Sequence, residues 1–314
     1  MNLFHLKTNE IQLFKCLIES LKEIMIETNL ELCRDSIRIC KVNSLNRIYC
    51  MVHLTAEELN KDDNFYKCEY PEDKPLIVGI NLLHISKILR TIGTDNVLHL
   101  QVHESNKNIL NIQVEMTHRL IISTYTINFI EVNVEHFDMN NIQPPEFDKT
   151  IKIESKYFQK QIKELNNLDS EFLEIIVCQN EMMIRGYGGY ITKQTQIYMP
   201  ENNHKNDEDE EEEENENENA KNNTNKNIKN NKTMKPNKNN NSKNSKTQYL
   251  RTIELISHND KPFQGKYLTK DFLCISKFTN LSDIFTLKLK NDLPLLLTIQ
   301  IPNFGEITLV IWLY

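Results

Sequence analysis

The pattern that most constrains this chain occurs twice. Between Leu76 and Val102 the sequence LIVGINLLHISKILRTIGTDNVLHLQV reads as strand, helix and strand. LIVGI is an apolar, β-branched run, Asn81 is placed to cap a helix, and LLHISKILRTI has helical apolar spacing. Gly93 is a natural C-cap, and VLHLQV alternates with period two. Around the helix, Leu82, Ile85, Ile88, Leu89 and Ile92 share one face, with Lys87 and Arg90 opposite. The pattern returns in LTKDFLCISKFTNLSDIFTLKLK, where Ile275, Ser276 and Lys277 echo Ile85, Ser86 and Lys87, and DIFTLKL echoes NVLHLQV. A second helix repeats as well. Phe14, Ile18 and Leu21 in IQLFKCLIESLKEIM are matched in spacing by Phe158, Ile162 and Leu165 in KYFQKQIKELNNL. The expected fold class is therefore α+β: two similar β-rich domains, each with two helices.

The remaining segments fit that plan. NLFHLK, LELC, IRICKV, RIYCMVHL, ILNIQVEM and RLIISTYTINFIEV read as strands and complete a first domain, residues 1–133. Residues 134–149 lack periodicity and contain adjacent prolines, as a linker would. TIKIES, FLEIIV, MMIRGYGGYI, TQIYM, TIELIS, LPLLLTIQI and ITLVIWL supply the strands of a second domain, residues 150–314. This domain is interrupted at about 201–247 by an acidic tract and an Asn/Lys-rich tract, whose composition predicts a disordered insertion.

Nothing in the chain points to catalysis. There is no GxxxxGK[ST] or HExxH motif, and the nine histidines form no ligand pattern, so neither metal nor cofactor is expected. Gly186, Gly188 and Gly189 lie among strands with no helix behind them, which predicts a bulge or tight turn and not a phosphate loop. The seven cysteines lack a CxxC pair and read as reduced thiols. No apolar run reaches the ~20 residues of a membrane span, and MNLFHLKTNE is not built as a signal peptide, so no membrane partner is expected.

What the chain does contain is basic helices within an acidic protein of net charge −7. Lys156, Lys160 and Lys163 oppose the apolar stripe of their helix, Lys270 and Lys277 oppose Phe272 and Ile275, and Lys87 and Arg90 behave likewise. Only the first helix is mixed, with Lys15 and Lys22 offset by Glu19 and Glu23. Gathered on one side of a curved sheet, these helices would form a positive surface for phosphates without base-reading groups, which implies sequence-independent contact with DNA.

The run FYKCEYPEDKPLIVGINLLHISKILRTIGTDNVLHL resembles a segment of the proliferating cell nuclear antigen family, the DNA sliding clamps, and KNDLPLLLTIQI resembles that family's strand near the C-terminus. The similarity runs in order over nearly the whole chain. It implies a DNA clamp fold that assembles into a closed homotrimeric ring, with helices lining a hole for double-stranded DNA. It also implies partners: DNA polymerase and other proteins carrying a clamp-binding peptide, and a clamp loader. The place of action would be the nucleus, or a viral replication compartment. Family positions facing DNA match Lys15, Lys22, Lys87, Arg90, Lys160, Lys163 and Lys277, with Lys270 added. The family's partner-peptide groove maps to Val42, Phe137, Met139, Ile142, Phe147, Pro294, Val310 and Ile311. In the family, subunits join strand to strand, and RLIISTYTIN and MMIRGYGG are the corresponding candidates. The chain departs from the family at its C-terminus, IWLY, and in the insertion. Two rival readings keep the fold: a subunit of a heterotrimeric checkpoint clamp, or a clamp-like monomer that holds DNA by charge alone.

Overall fold

The repeat in the sequence is a repeat of topology. The computed structural model describes residues 1–70, 75–116, 119–133, 146–179, 181–198, 253–257 and 259–314. The expected insertion and most of the expected linker lie outside the described residues.

The first copy runs β1 (Asn2–Thr8), α1 (Ile11–Leu21), β2 (Glu27–Leu32), β3 (Ser36–Val42), β4 (Ile48–Thr55), a short α2 (Ala56–Leu59) and β5 (Phe65–Cys68). It continues with β6 (Leu76–Asn81), α3 (Leu82–Arg90), β7 (Val97–His103), β8 (Asn106–Met116) and β9 (Ile121–Asn128). The second copy runs β10 (Lys149–Glu154), α4 (Ser155–Asn167), β11 (Ser170–Val177), β12 (Glu181–Gly188), β13 (Thr192–Tyr198) and β14 (Ile253–Ser257). After β15 (Phe263–Leu268) come α5 (Thr269–Ile275), a 3-10 turn (Ser276–Asn280), β16 (Ile284–Leu289), β17 (Leu295–Ile301) and β18 (Gly305–Ile311).

Each copy builds one five-strand and one four-strand arrangement, and the chain joins one of each. The first copy's five form the sheet β5-β1-β7-β8-β9, and the second copy's four form β13-β12-β11-β15. The second copy's five and the first copy's four merge into a nine-stranded sheet, β14-β10-β16-β17-β18-β4-β3-β2-β6. The seam is the antiparallel pair β18·β4, in register from Gly305 opposite Leu54 to Ile311 opposite Ile48. Two glycines permit close approaches at joints of this frame. A side chain on Gly305, which has φ +136°, would strike the carbonyl of His53 across the seam. One on Gly79 would strike the carbonyl of Ile130, whose N–H donates to the Gly79 carbonyl at 3.0 Å along the outer side of β6. The second copy repeats that bond, with Tyr314 N donating to the Lys266 carbonyl of β15 at 2.8 Å.

One apolar core runs through both copies. Phe158 of α4 packs edge-on to Phe272 and Phe285, and Phe14 of α1 reaches across to Phe304 in the β17–β18 turn. The helices are amphipathic as their spacing predicts: Leu82, Ile85 and Leu89 of α3 and Phe158, Ile162 and Leu165 of α4 are buried.

Several local readings are adjusted. Asn81 caps α3 as expected, accepting from Leu83 N at 3.0 Å. The helix ends at Thr91, however, whose hydroxyl donates to the Ile88 carbonyl at 2.7 Å, and Gly93 lies beyond the helix. The predicted last helix breaks after Ile275 into the 3-10 turn, where Ser276 and Thr279 hydroxyls donate to carbonyls three residues back. Gly188 closes the β12–β13 hairpin through its N–H to the Ile191 carbonyl, so the run ends in a tight turn at Gly188 and Gly189, while Gly186 lies within β12. MMIRGYGG forms β12, an interior strand with β11 and β13 on either side; its backbone is already paired on both sides, and the neighbouring edge is β13. RLIISTYTIN does form an edge, β9.

Candidate nucleic-acid interface

The four amphipathic helices α1, α3, α4 and α5 meet as one group. α1 packs against α3 and α4 against α5, and the 3-10 turn after α5 touches both α1 and α4, which makes the set continuous across the two copies. Ser20 of α1 fixes that contact, its hydroxyl donating to the Lys277 carbonyl at 3.1 Å. Because the apolar stripes point into the sheets, the lysines and arginine of these helices are left on the outer face of the group, whereas Asp271 of α5 is buried.

Five of the eight expected DNA-facing cations, Lys87, Lys160, Lys163, Lys270 and Lys277, are exposed there and form no ion pair among the described residues. The other three are engaged. Lys15 donates to the Ile92 carbonyl beyond the end of α3. Lys22 pairs with Glu19 one turn back on α1. Arg90 reaches the same carboxylate from α3, with Nε 3.0 Å from one oxygen and Nη2 3.2 Å from the other. Ser86 adds a hydroxyl donor at 2.6 Å. Partial burial works against the charge of Glu19, but the hydrogen bonds from Arg90, Lys22 and Ser86 prevail and bring its pKa down to about 2. The offset of Lys22 by Glu19 was legible in the i, i+3 spacing; the larger share taken by Arg90, seventy-one positions away, was not.

In the second copy the position matching Glu19 is Lys163, and the carboxylate beside it is spent differently. Glu164 of α4 is drawn to Lys193 of β13, whose hydrogen bond holds its pKa below the usual range. Lys160 also helps to hold that pKa down through its charge, but it and Lys163 stay exposed and form no ion pair among the described residues. Lys156 stands near Asp283 at 3.7 Å, with both side chains largely exposed. Between α1, α3 and the 3-10 turn lies a cleft of about 440 Å³, whose lining includes Lys15, Glu19, Glu23, Arg90 and Lys277.

The expected peptide groove is assembled in part. Val42, Tyr49, Val310 and Leu296 stand in one register row across β3, β4, β18 and β17, and so share the face of the sheet turned away from the core. Pro294 precedes β17 at the same end, and Phe147 is half-buried two strands from β17, beside β10. Ile311 is 0% exposed and points into the core, so it has no surface to offer a peptide. Phe137, Met139 and Ile142 lie outside the described residues. Two residues were missed. Leu45, 68% exposed in the β3–β4 loop, and Trp312, 39% exposed and anchored by its N–H to the Arg47 carbonyl, flank the Val42–Val310 row. Their signal in the sequence was a large apolar side chain in a loop and at a strand end. Arg47 itself ties the loop to α5 through a 2.8 Å pair with Asp271, which is almost wholly buried.

Among the described residues no group of three or more His, Cys, Asp or Glu is placed to hold a metal, and no helix is long and apolar enough to cross a membrane. All seven cysteines are free thiols.

Residues 3–137 match the family model for the N-terminal domain of proliferating cell nuclear antigen. The chain is 23% identical over 166 residues to a probable DNA polymerase sliding clamp 1 of Paramecium bursaria Chlorella virus 1, covering 53% of this chain and 59% of that protein. It is 23% identical over 173 residues to the proliferating cell nuclear antigen of Saccharomyces cerevisiae, covering 55% and 62%. The chain thus spans about three fifths of the length of the curated relatives it matches. Over 100% of both chains it superposes on the crystal structure of proliferating cellular nuclear antigen from Entamoeba histolytica, with a TM-score of 0.74 and 17% identity.

Proposed function

We propose that this chain, whose residues 3–137 match the N-terminal model of proliferating cell nuclear antigen and which has that protein's fold, is a member of the family and a DNA polymerase sliding clamp: a ring that encircles duplex DNA and tethers polymerase and other peptide-bearing replication and repair factors. It catalyses no reaction itself. It acts where DNA is replicated, in the nucleus or a viral replication compartment, and a loader opens it. Residues 1–133 and 150–314 serve as its two domains, with 134–149 as the connection.

The observation that carries the reading is an imbalance in the repeat. Within the chain, β18 ends the second copy's five strands and β4 ends the first copy's four, and these two pair. Their counterparts are β9 and β13, each with a partner on one side only among the described residues. Neither strand has a single buried residue, whereas the alternate residues of β18 from Ile307 to Ile311 are sealed. Ile121 and Ile122 on β9 and Tyr198 on β13 stand 45%, 64% and 74% exposed. Two open, complementary edges on one molecule favour head-to-tail pairing of β9 with the β13 of a neighbour, which closes into a ring when the rotation permits; we assign three subunits. The lysine-bearing helices then line the hole. Lysines there make weak, exchangeable phosphate contacts that allow sliding without reading sequence. Val42, Pro294 and Val310, with Leu45 and Trp312, offer an apolar seat for a partner peptide.

A threading experiment tests this. The protein is mixed with linear duplex blocked at one end, the second end is then blocked, and the salt is raised. A ring stays on doubly blocked DNA at salt that strips charge-held protein and leaves once an end is cut free. Equal loss from blocked and open DNA would contradict encirclement.

A further inference from the structure

The eight cations expected on the DNA face are not equivalent, and one carboxylate accounts for most of the difference. Glu19 projects from α1 between Lys22 on its own helix and Arg90 on α3, with Ser86 completing its donors. Arg90 engages it through two N–H groups, the same fork that would grip a phosphate. On the second copy no carboxylate plays this part: the position answering to Glu19 is Lys163, and the neighbouring Glu164 is engaged by Lys193.

We infer that Glu19 is a positioning residue that competes with DNA phosphates for Arg90 and Lys22, so that each subunit grips DNA mainly through α4, α5 and the 3-10 turn until Glu19 gives way. This deepens the clamp reading and rests on it. The competition is physically balanced: the pairs are partly exposed, so a phosphate can displace the carboxylate at modest cost. The first copy would thus contribute weakly held, exchangeable contacts. Glu23, just beyond the end of α1 and on the lining of the same cleft, forms no ion pair among the described residues and provides an internal control.

The test compares Glu19→Gln with Glu23→Gln in the full-length protein, binding a short duplex over a range of salt. Each variant removes one negative charge from the same surface, but only Glu19→Gln frees two cations. It is expected to tighten binding about tenfold at low salt and to steepen the slope of log affinity on log salt by about 1.8, as two added phosphate contacts would. Glu23→Gln is expected to leave the slope unchanged. In a Lys22→Ala, Arg90→Ala background the gain from Glu19→Gln should vanish. A gain from Glu19→Gln that equals that of Glu23→Gln, or survives in that background, overturns the inference. A second comparison does not depend on altering Glu19: Lys22→Ala with Arg90→Ala should weaken the parent less than twofold, and a loss as large as that from Lys160→Ala with Lys163→Ala overturns it too. Lys160→Glu, Lys163→Glu and Lys277→Glu together serve as the reference. If they leave DNA binding intact, the helix face is not the DNA face and the clamp reading fails; if they abolish it while Glu19→Gln behaves as Glu23→Gln, only the Glu19 inference falls.

Discussion

The helix pairs of the two copies share an ancestral-looking pattern of apolar residues but handle charge in opposite ways. α1 and α3 are tied by an ion-pair network centred on the partly exposed Glu19, which consumes Lys22 and Arg90. α5 is fastened instead by the buried Asp271, held from the first copy by Arg47, so the helix is secured without spending its surface lysines. Repetition preserves the fold because the buried stripes must fit the same sheets. The exposed faces carry no such constraint, and there the copies have diverged.

The largest effect should come from the buried tie. Arg47→Ala leaves Asp271 charged and nearly sealed from water, and a loss of about 3–5 kcal/mol in unfolding free energy is expected from chemical denaturation. A loss below about 1 kcal/mol would mean that the second copy's helices do not depend on this anchor. Next, replacing Lys160, Lys163 and Lys277 with Ala should lower the salt slope of DNA binding by about 3, one per phosphate contact, while Lys87→Ala lowers it by about 1. A uniform response from all cations on the face would erase the contrast between the copies.

Two smaller effects sharpen it. Asn81→Ala removes the side-chain cap of α3 and should cost about 1 kcal/mol, whereas Glu154→Ala at the start of α4, where no side-chain cap forms, should cost little. The smallest is a pH effect. Glu19 has its pKa lowered in the folded chain from 4.5 to about 2, so its contribution is present above the ordinary carboxylate range and is lost as pH falls through that interval. The denaturation midpoint of the parent should fall more steeply between about pH 4.5 and pH 2 than that of Glu19→Gln, with the difference held to about 1 kcal/mol or less by solvent screening. Parallel curves would show that the network adds nothing to stability.

The periodic parts of the molecule were legible in the sequence, and the parts fixed by distant neighbours were not. Phe158, Ile162 and Leu165 announce their buried stripe by spacing alone. Asn81 reveals itself as a cap because capping is local. α2 was readable but passed over: Thr55 and Glu58 form the S/T-x-x-E signature, and Thr55 accepts from Glu58 N as that signature predicts. The exchange of MMIRGYGG for β13 as the open edge was beyond local reading, since both runs have strand chemistry and only strand order tells which is last. Ile311 was misplaced for a related reason. The run LVIWL does not alternate, so which of its residues face inward is set by pairing with Ile48 and Leu295. Glu19 and Arg90 meet only because α1 and α3 pack together.

The ring is the central claim, and the solution mass of the full-length chain tests it most directly. Light scattering over a range of concentrations should give three times the 37.1 kDa of one chain, and that mass should fall when proline is introduced on β9 at Thr124. A mass of one chain at every concentration would contradict a self-assembled ring and leave a monomer that holds DNA by charge.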